Sequence, residues 1–428
     1  MKSKYLYSLL FLTLFCLPAI AQKPQSLLLK DALVYEGPAT RQPYKASVLV
    51  SKGIIKTISK KKPTPVPPGT RVIDCNGKFL VPGLIDAHIH LAAGDIKNEQ
   101  AWLAESDSIL QNMLAHGITT VRDMAGEGAF LQRILKNCAN NKTKTPVVFY
   151  SAQFAGPEYF YMIGKYSNRN RGGTPWERAV ADTTNIAGVV KEAKAGGVTG
   201  IKIYANLSPL LIKKIVQEAH RQGLQAWSHV SVFPTPPSVT AGSGVISMSH
   251  AHDMFFEQFP FSEQSPGKNR ISEVLQTVSK NLKIDTLVMT RLLATMKAHH
   301  VFLDPTLYLA GQNRLINGAT TITQWAHKQG VKLVLGTDWP YPTRGANLPL
   351  LNEMKLWATK SEIPNPYIIE AATVNGAAVL GLKDRGCIQI GKRADTLVLS
   401  KDPAYDLEAL FNPDRVIQNG EEIENIKQ

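Results

Sequence analysis

The spacing of apolar and polar positions changes character twice along this chain. From Ser26 to Tyr35, Ala46 to Ile58 and Arg71 to Asp74, short runs rich in Val and Ile are separated by Gly, Pro and polar turns, which predicts strands. The Pro-rich stretch Lys62 to Gly69 reads as a loop. From Val81 onward, apolar runs alternate with segments of helical spacing, the pattern of a parallel sheet with helical crossovers. Strand-and-turn spacing then returns in Gly386 to Leu399 and Arg415 to Gly420. Neither end has enough strands to close a core alone. A small β-sandwich domain assembled from 22–80 and 376–428 is therefore expected around a central unit at 81–375.

Within the central unit, strand ends fall near His90, Asp123, Ser151, Lys202, His229, His250, Asp304 and Asp338. Ser208-Pro209 supplies an N-cap and a first-turn proline, and Gly223 and Gly330 stop helices. Strands alternating with helices in this number predict an α/β fold, a (β/α)8 TIM barrel. No dinucleotide-type glycine motif follows an early strand, which weakens the open-sheet alternative. In a barrel of this kind the carboxyl ends of all strands open on one face, and that face carries the active site.

Composition narrows the picture only in part. The 428 residues suffice for a barrel and a smaller unit, and 19% charged with 44% apolar residues describe an ordinary globular protein. The net charge of +14 suggests an anionic partner, but the basic residues lie in scattered groups such as Lys60-Lys61-Lys62 without interleaved aromatics, which argues against nucleic acid. Residues 1–21 pair Lys2 and Lys4 with the apolar run Leu6 to Leu17 and end in Ala19-Ile20-Ala21. That is a secretory signal, so an exported protein, periplasmic or secreted, is expected to begin near Gln22. Phe15 fits a lipoprotein site at Cys16 poorly, and no later apolar stretch is long enough to span a bilayer. Export leaves Cys75, Cys138 and Cys387, an odd set that cannot be a fully paired framework. A Cys75–Cys387 bridge stays open beside the simpler reading of small buried hydrophobes.

The candidate chemistry starts at Val81-Pro82-Gly83-Leu84-Ile85-Asp86-Ala87-His88-Ile89-His90. Strand alternation puts His88 and His90 on one face, where two imidazoles can grip one ion. An isolated pair is more often one core and one solvated histidine. Here Lys202, His229, His250 and Asp338 recur at later strand ends, and the set decides for metal. A lysine inside the apolar run Gly200 to Tyr204 is otherwise buried without a partner.

This ordered set, with Gly336-Thr337-Asp338 and Gly391-Lys392-Arg393-Ala394-Asp395, resembles the amidohydrolase superfamily over nearly the whole mature chain. Through His116-Gly117-Ile118-Thr119-Thr120-Val121-Arg122-Asp123 and Gly200-Ile201-Lys202-Ile203 it looks most like the imidazolonepropionase-like and Xaa-Pro dipeptidase group. The resemblance implies two divalent metal ions, most often Zn2+. His88, His90 and Asp338 would hold one, His229 and His250 the other, and a carbamylated Lys202 would bridge both. An ammonium has no lone pair to give a metal, whereas a carbamate is carboxylate-like. Such ions lower the pKa of a shared water from 15.7 towards about 7, and Asp338 would carry the proton from that water to a leaving amine.

His252 and Asp86 are expected beside the site, and Asp123 and Asp304 as structural carboxylates. The loop Gly156 to Thr174 overhangs the active face; Arg169 or Arg171 would meet a substrate carboxylate, with a solvated lid as the equal alternative. A Thr-Gly-Gly-His stretch usual in the dipeptidase group is missing there. Tyr204, Tyr308 and Trp339 are candidate pocket walls. The leading reading is an exported metal-dependent hydrolase of a C–N bond in a small molecule or short peptide, such as an Xaa-Pro dipeptide or a cyclic amide. A mononuclear deaminase or imidazolone-type hydrolase is the rival, and a non-catalytic exported binding protein is the alternative of another class. A homo-oligomer is left open.

Overall fold

The computed structural model describes residues 26–60, 66–92, 98–165, 171–259, 283–313 and 315–423. The expected signal and Arg169 lie outside them. Seven parallel strands form the central sheet: β1 (Leu84–Ile89), β2 (Ile118–Asp123), β3 (Val147–Ala155), β4 (Gly200–Ile203), β5 (Gln225–His229), β6 (Ser247–Ser249) and β7 (Phe302–Asp304). They pair in chain order, and a short strand, Glu177–Ala179, adds beside β3. Sequential parallel pairing with helical crossovers curls the sheet towards closure.

The eighth position is not a regular strand. Leu333 makes an isolated parallel bridge with Leu303, and on the other side Ala87 N donates to Leu335 O at 2.9 Å. Beyond it both Thr337 N and Asp338 N turn to His88 O, at 3.2 and 2.8 Å. The segment thus sits in the gap between β7 and β1, and its end is committed to the rim and not to a ladder.

Each β4 position shows why the sequence folds this way. Alternation sends Ile201 and Ile203, both fully buried, to one side of the sheet and Lys202 to the other. Helix Pro209–Arg221 covers that side with Leu211, Ile212, Ile215, Val216 and Ala219. Burying each of the Leu, Ile and Val side chains among them contributes about 1.5–3 kcal/mol. Ser208 caps this helix by accepting from Leu211 N, and Gly223 (φ +78°) follows it.

The terminal segments 26–82 and 396–423 form one continuous sheet of eight strands, in the order 421–423, 415–418, 396–399, 79–82, 26–34, 44–51, 54–59, with 71–74 beside 26–34. Strand 79–82 links strands from both ends into one hydrogen-bonded sheet, so the small β unit is assembled from both termini. Its core, Leu29, Val48, Ile55, Leu80 and Val398 among others, is separate from the barrel core. Strand 79–82 runs straight into β1, and Gly83 N donates to Asp395 O at 2.9 Å. Cys75, Cys138 and Cys387 are free thiols.

Candidate metal centre at the barrel rim

His88 is fully buried at the end of β1, with Nδ1 2.6 Å from Asp304 Oδ2. With the carboxyl group accepting, the ring hydrogen sits on Nδ1 and the Nε2 lone pair is free. That Nε2 is buried and has no hydrogen-bond partner. His90 Nδ1 lies 2.9 Å from Ala125 O, which leaves Nε2 pointing at Asp338 Oδ1, 3.0 Å away. His250 (φ 81°) follows β6; its Nδ1 is 3.0 Å from Thr306 Oγ1, and its Nε2 faces His229 Nε2 at 3.2 Å. Single ligating atoms of His88, His250 and Asp338 all lie within 4.8 Å of one another.

Lys202 is fully buried on the same interior face. Its Nζ donates to Ser249 Oγ (2.7 Å) and Ser228 O (3.2 Å), and Ser249 Oγ donates to Asp304 Oδ2 at 3.1 Å. The lysine is thereby joined to His88 through Ser249 and Asp304.

Burial dominates the electrostatics. It drives His88, His229 and His250 well below the ordinary histidine range, leaving neutral rings with lone pairs to give. Burial likewise outweighs the attraction of Asp304 and Asp338 and lowers the Lys202 amine. For Asp338 burial raises the carboxyl, but His88 and His90 outweigh it and hold it below the usual carboxylate range, so it is ionised.

A model of the amidohydrolase family matches residues 79–423. This chain belongs to that family. Among curated relatives, an imidazolonepropionase of Thermoplasma acidophilum is 22% identical over 403 residues, 86% of each chain. A 5-methylthioadenosine/S-adenosylhomocysteine deaminase of Thermoanaerobacter pseudethanolicus is 31% identical over 361 residues, 78% of this chain and 76% of its own. Among solved structures, a Xaa-Pro dipeptidase with bound methionine superposes with a TM-score of 0.71 at 19% identity, covering 93% of this chain and all of its own. An A. niger ochratoxinase gives 0.70 at 19% identity, over 93% and 95%. The protein is accordingly a hydrolase acting on carbon–nitrogen bonds, from a family that is generally metal-dependent. No helix among the described residues is long and apolar enough to cross a membrane.

The donor set of this amidohydrolase fits a divalent ion. Imidazole nitrogens and a carboxylate are the ligands zinc takes, and the partnerless Nε2 of His88 is a desolvated lone pair that otherwise goes unsatisfied. The metal-free protein also predicts a pH dependence. Burial lowers His90, but the Asp338 carboxylate outweighs it and raises the ring to about 9. A protonated ring cannot ligate, so the proton must leave when metal enters. Below pH 9 the apparent metal affinity should fall about tenfold per pH unit from this group alone. Titrating the metal-free protein at pH 6.5, 7.5 and 8.5 checks it; an affinity independent of pH contradicts it.

Supporting groups were less legible. Asp86 accepts from His88 N (3.0 Å), Thr337 N (3.2 Å), Thr337 Oγ1 (2.9 Å) and Tyr341 Oη (2.5 Å), tying β1 to the Asp338 turn. Asp123 accepts from Leu91 N (2.6 Å) and Ala125 N (3.3 Å), the structural role expected. Asp304 does more than was expected, since it fixes the His88 tautomer. Arg122, unremarked in the sequence, is fully buried beneath the site, 3.9 Å from Asp304 Oδ2 and with its guanidinium 4.7 Å from the Trp227 ring centre. His252 lies beside the site, its ring 5.5 Å from that of His250.

Of the candidate substrate contacts, Tyr204 stacks on His229 with ring centres 3.9 Å apart, and Tyr159 continues the wall at 5.2 Å. Tyr308 packs edge-on against Trp339 at 5.8 Å. Arg171 does not present a free charge to a substrate carboxylate: it is paired at 3.0 Å with Glu177, a carboxylate of the protein's own.

Gly336 is the close approach behind the site. A Cβ there would lie 2.5 Å from both Asp304 Oδ1 and His88 Cβ. Gly336→Ala must push these two groups apart, and disturbing the partner that orients a ligating histidine typically costs about 10–100-fold in metal affinity. Equilibrium dialysis against zinc checks this; wild-type affinity in the variant would contradict it.

Proposed function

We propose that this amidohydrolase is an exported enzyme that uses two divalent ions to hydrolyse an amide-type C–N bond, in a peptide such as an Xaa-Pro dipeptide or in a cyclic amide. The carrying observation is Lys202, an amine buried at a strand end between Ser249 and Ser228 on the face where the histidines meet. An unmodified amine gains little there. Addition of CO2 to its neutral form, with loss of a proton, would give a carboxylate-like carbamate; with it, His88, His90 and Asp338 would hold one ion and His229 and His250 the other.

When bound, such ions polarise the scissile carbonyl and make water nucleophilic near neutral pH. The chain's own residues do the rest. Asp338, ionised and close to His88 and His90, takes a proton and passes it to the departing nitrogen. Tyr204 and Tyr159, their rings inclined by 50° to one another, offer aromatic surface beside His229 that suits a ring such as proline or an imidazolone. Export rests on Lys2, Lys4 and the apolar run before Ala21.

The deaminase and imidazolonepropionase relatives favour a second reading, a mononuclear enzyme with Lys202 unmodified. A screen of metal-loaded protein over Xaa-Pro and other dipeptides, N-acyl amino acids, cyclic ureides and 5-methylthioadenosine separates the two. Hydrolysis of an amide is expected, seen as a released amino acid from a peptide or N-acyl amino acid or as a ring-opened product from a cyclic ureide. Ammonia released from the nucleoside, with every amide untouched, overturns the proposal.

A further inference from the structure

We infer that Glu353 is a positioning residue for His250: by capping the helix Leu307–Gln312 from a neighbouring helix, it frees the Thr306 hydroxyl to hold the His250 ring. The inference rests on the reading of His250 as a metal ligand.

Thr306 occupies the N-cap position of that helix, with φ 50° and ψ 51°, and makes no side-chain capping bond. A threonine at this position ordinarily accepts from the first free N–H groups of its own helix. Its Oγ1 is instead 3.0 Å from His250 Nδ1. A hydroxyl turned to the ring leaves the helix N–H groups without their usual acceptor, and buried N–H groups are rarely left so.

Glu353 supplies the acceptor. It is fully buried on helix Pro349–Lys360. Leu307 N donates to Oε1 at 2.9 Å and Tyr308 N to Oε2 at 2.6 Å; Trp357 Nε1 also donates to Oε1, at 2.7 Å. Three donors and the positive end of a short helix reduce the cost of burying this carboxyl group, but burial still outweighs them and raises it to about 8.

The same segment is the template for the unusual backbone of His250. His250 N donates to Asp304 O at 2.8 Å and Ala251 N to Pro305 O at 3.1 Å. Backbone bonds thus hold one end of 304–308 against His250, and Glu353 anchors the other. Without the Glu353 carboxyl group, the 304–308 segment loses its second anchor and the His250 ring loses the Thr306 hydroxyl that orients it at Nδ1.

Cobalt(II) titration of the metal-free full-length protein tests this in wild type, T306V, E353A, E353Q and the double variant T306V/E353A. The imidazole 15N resonances of the metal-free proteins are read beside it. E353A and T306V should each weaken the binding of one cobalt ion by about 10–100-fold and shift the same His250 resonance. The double variant should be no worse than either single, because both remove one link. E353Q, which keeps an oxygen acceptor, should fall between. Wild-type cobalt affinity and an unmoved His250 resonance in E353A, with only the melting temperature lowered, would overturn the inference, as would effects that add in the double variant. If the wild type takes up no cobalt, the metal reading fails instead, and the His250 resonance still decides this inference.

Discussion

Asp338→Asn should lower kcat by about 10²–10⁴-fold, the contribution of a well-placed proton carrier, with KM changed far less. The substitution keeps the shape of the side chain and removes the charge, the capacity to take a proton and the proposed carboxylate ligand, so metal content is measured beside the kinetics. In the structure that charge does two jobs. It holds His90 Nε2 at 3.0 Å, and it stays ionised despite burial because His88 and His90 stand against it. A loss confined to kcat marks a group needed in the transition state and not for substrate binding. Steady-state kinetics on the amide found in the screen, with circular dichroism to verify the fold, provides the check. A variant within a factor of about three of wild type would remove Asp338 from the chemistry.

Lys202→Met should part stability from function. A buried amine that reaches only Ser249 Oγ and Ser228 O is costly to keep, so an apolar chain of similar length should leave the melting temperature unchanged or higher. Under the two-ion proposal, metal affinity and activity should both fall by about 100-fold or more, because the proposed bridge between the two halves of the donor set would be gone. Under the mononuclear reading the same variant would keep its metal and its rate. Calorimetry and metal analysis of one preparation suffice to decide.

The candidate donors were legible because they sit where strand periodicity puts them. His88 and His90 share a face, and Lys202 interrupts an apolar strand at a position no solvated lysine would occupy. What orients them was not legible. Asp304 meets His88 across 216 positions of sequence, and Glu353 reaches Leu307 across 46, so only the curled parallel sheet brings them together. His250 and Asp338 adopt φ of 81° and 49° under hydrogen bonds from other segments, which residue type does not announce. Arg171 was expected at the substrate because charge pattern shows an arginine in a loop but not the buried carboxylate of Glu177 that claims it. The final barrel position departs from a strand for a related reason: its backbone N–H groups are spent on His88 O, where they set the Asp338 turn.

The account stands or falls on the metal held by the purified chain. Elemental analysis after dialysis, paired with a hydrolysis assay before and after a chelator, should find about two divalent ions per chain, activity lost on their removal and regained on their return. A chain that hydrolyses its amide at full rate with no ion bound would contradict it.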